Sequence, residues 1–310
     1  MLCNMKKLLY SHRIPEHVEP ISVSLYIYNI TDIYPSRKSI YKAIKKGDIT
    51  VNDKIREPGK WIYPGDLIQI YEHESEIISS YSIKLNVLYE DEWMAVVEKP
   101  AGLITNRYGH KTLEMALPVN LKQSSLHDAL NFSRPVHRLD KSTGGLVIIG
   151  KTSSALISLS SQFEKRAIQK KYRAIVSGKL DGNGEINDPI DNKDAITRYS
   201  VLKQVPSLQN VYMTLIDCWP LTGRYHQIRR HLSGHGFPIV GDKKYNLGST
   251  LQGKGLFLWS IEIVCFNDYA QKEIHILINE PRKFHSLLQR EEKRWNKFQS
   301  IISDEPELPE

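Results

Sequence analysis

The sequence predicts an α+β protein in which a small helix-and-hairpin domain precedes a larger domain built on a mainly antiparallel mixed sheet with flanking helices. Three observations predict it. A chain of 310 residues suggests about two domains at roughly 150 residues each. Strand-like runs recur between residues 85 and 299 with few helical stretches among them, which fits antiparallel pairing better than βα alternation. Ahead of them, residues 36–71 read as a basic helix followed by two short strand-like pieces.

Composition narrows the function before any motif does. Hydrophobic residues make up 41% and charged residues 25%, an ordinary globular balance. No run of about 18 apolar residues occurs, so no membrane span is expected. The opening Met1-Leu-Cys-Asn-Met-Lys-Lys lacks the apolar core of a secretory signal. Cys3, Cys218 and Cys265 are odd in number and scattered; they suit a reducing cytoplasm, and neither a disulfide framework nor a zinc ribbon. Lys and Arg number 42 against 35 Asp and Glu, a net charge of +7. Such a balance points to a polyanionic partner, nucleic acid ahead of an anionic membrane surface.

Residues 1–19 read as an N-terminal extension and residues 20–72 as the small domain. Within it, residues 36–46 are expected to be helical, with Ser36 as the cap and Gly47 just past the end. At 100° per residue, Lys38, Lys42, Lys45 and Lys46 fall on one face and Ile40, Ala43 and Ile44 on the other. Residues 36–60 carry eight basic side chains, Arg37 among them, against three acidic ones. Strand-like pieces at 49–52 and 67–71 follow, with Pro58-Gly59 and Pro64-Gly65 turns between them. A charge run of this kind is usually a solvated face. Here the order of Ser36-Arg37-Lys38, Lys46-Gly47-Asp48-Ile49-Thr50-Val51-Asn52 and Pro64-Gly65-Asp66-Leu67-Ile68 resembles the RNA-binding module first recognised in a small-subunit ribosomal protein. The resemblance implies that Arg37, Lys38, Lys42, Lys45 and Lys46 meet an RNA backbone.

Residues 73–84 read as a linker of mixed polarity, and residues 85–299 as the larger domain. It opens with strand-like runs at 87–89 and 94–97, a hairpin ending in Lys99-Pro100-Ala101-Gly102. Further strands are expected at 145–149, 171–176, 211–216 and 274–278, and helices at 153–166, 225–232 and 282–299. Residues 300–310 are acidic and proline-bearing, and are expected to be disordered.

The run Arg134-Pro-Val-His137-Arg138-Leu139-Asp140-Lys141-Ser142-Thr143-Gly144-Gly145 sets one aspartate between two cations and follows it with a Ser-Thr-Gly-Gly turn. Neighbouring positive charge favours the charged form of a carboxylate, and glycines permit close approach. Both suit a nucleophile or general base, although a surface ion pair has the same appearance. Gly145–Thr152 matches the G-x-x-x-x-G-K-[ST] phosphate-loop pattern letter for letter. Its middle residues, Leu-Val-Ile-Ile, favour a buried strand over an open nest of amides, which argues against a nucleotide site. The run 221–232 gathers Arg224, His226, Gln227, Arg229 and Arg230 after a Thr222-Gly223 turn, which suits a phosphate or a carboxylate. His226, His231 and His235 match no usual zinc spacing. On a strand, Tyr172 shares a face with Ala174, as core or as a surface for a base.

Together these pieces resemble the RluA-type pseudouridine synthase family. The resemblance rests on His137-Arg138-Leu139-Asp140 with Ser142-Thr-Gly-Gly, on Lys171-Tyr172-x-Ala174, and on Gly223-Arg224-x-His226-Gln227-Ile228-Arg229. Pro238-Ile-Val-Gly-Asp242 and Lys99-Pro100-Ala101-Gly102 complete it, over about residues 85–285. It implies isomerisation of uridine to pseudouridine in RNA, ribosomal RNA of the large subunit first and tRNA second, with no cofactor and no metal. Asp140 is then the essential residue, which either attacks the anomeric carbon or removes the neighbouring sugar proton to give a glycal. Arg229 pairs with Asp140, and Tyr172 stacks on the target uracil and assists loss of the carbon-5 proton. Arg138, His137, Arg224, His226 and Gln227 are implied as contacts to the substrate RNA. Two positions depart from the usual pattern: Tyr225, where threonine is usual, and Arg230-His231, a pair also seen in a tRNA-modifying branch. Both bear on the choice of RNA. The alternative is a non-catalytic RNA-binding factor of ribosome assembly; a cytoplasmic monomer is the simplest expectation for either.

Overall fold

The structure, a computed structural model, describes residues 7–31, 33–34, 36–71, 81–106, 111–246 and 253–303. They fall into two compact units divided between Ile78 and Ser79.

The first unit runs β1 (Leu8–Arg13), β2 (Ile21–Ser22), α1 (Val23–Ile30), α2 (Arg37–Lys46), β3 (Ile49–Val51), β4 (Trp61–Ile62) and β5 (Leu67–Tyr71). β1, β5 and β3 form an antiparallel sheet in that order, and β2 pairs with β4. α2 starts as expected: Ser36 Oγ accepts from the Ser39 amide at 3.2 Å and Ser39 Oγ from the Ser36 amide at 3.1 Å. It ends at Gly47, whose φ of 74° is the left-handed conformation that closes helices. Ile40, Ala43 and Ile44 are buried with Val23, Ile27, Ile49, Ile68 and Ile70, while Arg37, Lys38, Lys42, Lys45 and Lys46 face solvent.

The expected domain boundaries change here. Residues 8–13 do not lie outside the small domain. They are its edge strand, with Leu8 opposite Tyr71 and Arg13 opposite Leu67. Residues 23–30, rich in β-branched and aromatic side chains, form a helix because Val23, Tyr26 and Ile27 then share one buried face. Of the expected linker, residues 73–80 lie outside the described residues. Residues 81–84 already belong to the second unit, where Tyr81 and Ile83 pack on the core and the Tyr81 amide donates to Met115 O at 2.9 Å.

The second unit begins with β6 (Asn86–Glu90), β7 (Met94–Lys99), α3 (Leu113–Ala116), β8 (Ala129–Pro135), β9 (Gly144–Thr152), α4 (Ser153–Glu164) and β10 (Gln169–Ser177). It continues with β11 (Asn183–Ile186), β12 (Thr197–Ser207), β13 (Val211–Pro220), α5 (Gln227–Gly234), β14 (Leu258–Asn267), β15 (Lys272–Leu277) and α6 (Arg282–Ser303). These strands build one sheet in the order β11-β12-β13-β10-β14-β9-β7-β6, with β15 beside β14 and β8 beside β9. Its ladders are antiparallel except for β9 on β14. The α+β expectation holds.

β9 is buried on both faces, so it reads as a continuous apolar run. Val147 and Ile149 point into a core shared with Leu232 of α5 and Phe284 and Leu287 of α6; Leu146 and Ile148 point into a second core with Leu159 of α4. The phosphate-loop pattern therefore lies inside a central strand. At its start, Gly145 has φ 110°, and a Cβ there would sit 2.1 Å from Ser260 O of β14. Only glycine lets the two strands meet side by side at this point.

α5 begins at Gln227 rather than at 225, because His226 takes a left-handed φ of 55° and stops the helix from reaching back. α6 continues through Ser303, so residues 300–303 are helical; residues 304–310 of the expected tail lie outside the described residues.

Candidate active site

Asp140 lies on the loop between β8 and β9, and backbone clamps on both sides of it set its position. Thr105 Oγ1 donates to Leu139 O at 2.9 Å and accepts from the Leu139 amide at 3.1 Å. The Gly102 amide, in the Lys-Pro-Ala-Gly turn after β7, donates to Lys141 O at 2.7 Å, and the Thr143 amide to Asp140 O at 3.1 Å. Leu139 turns into the core and leaves the Asp140 side chain 21% exposed.

Arg229, in the first turn of α5, meets it. Nη1 donates to Asp140 Oδ2 at 3.2 Å, while Nε and Nη2 fork onto Asp242 at 2.7 and 2.8 Å. Burial alone would raise the Asp242 carboxyl, but the hydrogen bonds and charge of Arg229 and the amides of Lys244 and Tyr245 outweigh it and hold the group below the ordinary value. Arg229 is thus a buried cation with one fixed carboxylate behind it and one partly exposed carboxylate in front.

Three more side chains converge. His226 Nε2 lies 3.5 Å from Asp140 Oδ2 and 3.0 Å from Arg229 Nη1, and Nδ1 lies 3.0 Å from Tyr245 Oη. Burial pushes the His226 imidazole down against the opposing pull of the Asp140 charge. A neutral ring suits a nitrogen that accepts from a guanidinium. Tyr172, on β10, is 9% exposed, and burial together with the Asp140 charge raises its phenol. Lys99, at the end of β7, is fully buried, with Nζ donating to Leu103 O at 2.8 Å and Pro100 O at 3.1 Å. Burial pushes its ammonium down to about 7, and the charge of Asp140 resists that shift.

Other expected contacts lie elsewhere. His137 Nε2 accepts from the Ile148 amide at 3.1 Å and its ring packs 4.7 Å from Phe163, so it braces the loop against β9. Burial pushes it to about 3, as a ring nitrogen that accepts from an amide requires. Gln227 is buried, tying Thr222 Oγ1 and the Arg224 amide at its Oε1 to Ile196 O and Thr197 Oγ1 at its Nε2. Both replace an expected RNA contact with a structural one, because every polar atom engaged faces the protein. Arg224 Nε donates to Asp194 O at 2.8 Å, and Arg138 is exposed. His231 bonds Thr197 and Asp188, and His235 bonds Asp188, so neither converges with His226; no metal-ligand cluster occurs among the described residues. Arg37, Lys38, Lys42, Lys45 and Lys46 sit on α2 of the first unit.

Asp242 and Lys99 stand within motifs of the sequence, which gives neither of them a place at the site. The Gly-Asp and Lys-Pro-Ala-Gly strings were the available signal. Tyr245 carried none.

A sequence profile described as RNA pseudouridylate synthase matches residues 94–234, the span that holds Asp140, Tyr172 and Arg229. An Aquifex aeolicus relative, named as an uncharacterized RNA pseudouridine synthase, is 34% identical over 82% of this chain and 89% of its own. The ribosomal large subunit pseudouridine synthase C of Escherichia coli is 30% identical over 71% of this chain and 76% of its own. Among solved structures, human RNA pseudouridylate synthase domain containing 4 aligns with a TM-score of 0.52 and 26% identity over 66% of this chain and 92% of that one. Human domain containing 1 aligns with a TM-score of 0.54 at 22% identity, over 67% and 86%, a likeness of fold. Matched by that profile and, over most of its length, by relatives at 30% identity or more, the chain belongs to the RluA-type family of RNA pseudouridine synthases.

Proposed function

We propose that this isomerase converts uridine to pseudouridine in large-subunit ribosomal RNA, with Asp140 as the reacting carboxylate. One observation carries the reading: a partly exposed carboxylate is paired at 3.2 Å with Arg229, which is itself fixed from behind by buried Asp242. The name of the Escherichia coli relative, a ribosomal large subunit pseudouridine synthase, favours ribosomal RNA over tRNA.

The chemistry needs one ionised oxygen. Asp140 either attacks C1′ of the ribose, in an ester bond that breaks when C5 displaces it, or takes the C2′ proton to give a glycal and returns it when C5 adds to C1′. In both routes the N1–C1′ bond breaks, the uracil turns, C5 bonds to C1′ and loses its proton to solvent, and N1 gains one. No water is consumed, so a single carboxylate suffices where a hydrolytic glycosidase uses two. Arg229 aims the carboxylate. Tyr172 offers a ring face to the uracil, a contact worth about 1–3 kcal/mol. With its phenol raised by burial it stays protonated at neutral pH, which argues against the proton-removing part implied by the resemblance. Arg138, exposed two residues before Asp140, takes a phosphate or fills the space of the extruded nucleotide. Extrusion costs a few kcal/mol, which phosphate contacts from Arg37, Lys38, Lys42, Lys45 and Lys46 offset.

Tritium release tests this, using RNA labelled at uracil C5 and taken from cells that lack the protein. Wild type should release tritium from the ribosomal fraction, and Asp140→Asn should lower the rate at least about a thousandfold. Near-normal release by the variant would remove Asp140 from the chemistry. Tight RNA binding by wild type without release would favour the assembly factor.

A further inference from the structure

One exposed aromatic side chain, Tyr225, stands beside the site against His226. Because His226 turns the chain with φ 55°, Tyr225 stays outside α5 and is 56% exposed. A non-glycine residue in this conformation is uncommon, and such strain gathers at functional sites. The Tyr225 ring lies on the His226 imidazole, centroids 3.8 Å apart and planes 20° apart. Tyr245 holds the same imidazole edge-on, at 5.6 Å and 89°, with its hydroxyl on Nδ1. On its other edge the imidazole reaches Asp140 Oδ2 at 3.5 Å. Lys244 Nζ stands 5.5 Å from the Tyr225 ring centre and 5.4 Å from that of Tyr245. The result is a fixed ring pair, anchored at the Asp140 carboxylate and open to solvent at Tyr225, with a cation beside it.

We infer that Tyr225 is a stacking platform for a second nucleobase of the substrate RNA, the one next to the target uridine in the chain; this rests on the reading of Asp140 as the reacting group. Splayed single-stranded bases are held on aromatic rings, and stacking tolerates any base because each has a π face. The base on Tyr225 is not the target. Tyr225 is separated from the carboxylate by the His226 ring, so a base beyond it holds its own sugar away from Asp140. A neighbour is the base in need of such a surface, since extruding the target removes one of its stacking partners. Lys244 is placed for the phosphate that joins the two nucleotides.

The test uses the full-length protein and an unmodified large-subunit ribosomal RNA transcript, with tritium release as the readout. Tyr225→Ala should raise KM roughly tenfold while kcat changes far less, as expected for an interaction made equally before and during the reaction. Tyr225→Leu, which keeps bulk without a π face, should behave like alanine, and Tyr225→Phe should recover most of the affinity. Ultraviolet cross-linking of the wild type should join the Tyr225 peptide to a nucleotide immediately beside the uridine that becomes pseudouridine. A leucine variant with normal KM makes Tyr225 a packing residue and overturns the platform, as does a cross-link several nucleotides from the target. No release by wild type would instead sink the underlying reading, and the platform with it.

Discussion

The three nitrogens of Arg229 serve two carboxylates of different standing: Nε and Nη2 are committed to buried Asp242, and Nη1 alone faces Asp140. Removing the buried partner leaves a guanidinium that is 7% exposed with Nε and Nη2 unpaired and only the partly exposed Asp140 facing it, at Nη1. Asp242→Asn should therefore cost about 3–5 kcal/mol of stability and loosen Asp140 as well. Urea unfolding measures the first effect, and a loss under about 1 kcal/mol would mean that the fork is not what holds Arg229. Lys99 gives a pH signature. Its pKa falls from the ordinary 10.5 to about 7 in the fold, so between those values the unfolded chain binds a proton that the native chain does not. Its contribution to stability is complete above 10.5 and is lost as pH falls through about 7. The stability of wild type relative to Lys99→Met should then rise with pH across that window, by at most about 1.4 kcal/mol per unit. A difference flat in pH would contradict a depressed Lys99.

At the scale of elements, β9 and its first residues carry the geometry. Gly144 and Gly145 face Trp259 and Ser260 of β14 in the parallel ladder of the sheet, and the Asp140 loop feeds directly into that contact. Gly145→Ala places a methyl against the Ser260 backbone at a φ of 110°. It should destabilise the second unit by several kcal/mol, in the upper range for a point change. Thermal unfolding checks this, and a melting temperature within a degree or two of wild type would refute it. This turn was legible in the sequence, since two adjacent glycines after a loop aspartate have few other uses. So was the strand behind it, because Leu-Val-Ile-Ile is apolar at every position. α1 was not, because Val23, Tyr26 and Ile27 favour strands by propensity and become helical only through the face they bury together. β12 was missed for a related reason: it is long but chiefly half-buried, without a clean alternation of buried and exposed positions, and Pro206 near its end breaks the usual signal. At the site, Asp140 and Arg229 could be read because their strings are distinctive. His137 and His226 are the same residue type in similar strings, and only the fold sends one to brace β9 and the other to the carboxylate. Asp242 acquires its role from a partner 13 residues away across a loop, which no local pattern encodes.

At the scale of the whole molecule, the net charge of +7 is unevenly distributed, and residues 36–60, with eight basic against three acidic side chains, account for much of it. α2 orders these charges. Its cap and left-handed close fix the helix, its apolar face seals the small core, and its cations point outward as a stripe. An exposed stripe of this kind has little to do for the fold, because charges of one sign repel and surface pairs contribute little. Its natural counterpart is a polyanion, and the thermodynamic mark of that role is counterion release. Replacing Lys38, Lys42 and Lys45 with glutamine removes three phosphate partners, each worth about 0.7–0.9 in the slope of log K against log salt. The variant should bind ribosomal RNA more weakly at low salt, with a slope shallower by roughly two, while its unfolding is little changed because none of the three is buried. Filter-binding isotherms over a salt series measure both quantities together. An unaltered slope would place the RNA contacts elsewhere and leave α2 as a solvated face; a shallower one would mean that affinity is set in the small unit and chemistry in the large one, so that the two can be varied separately.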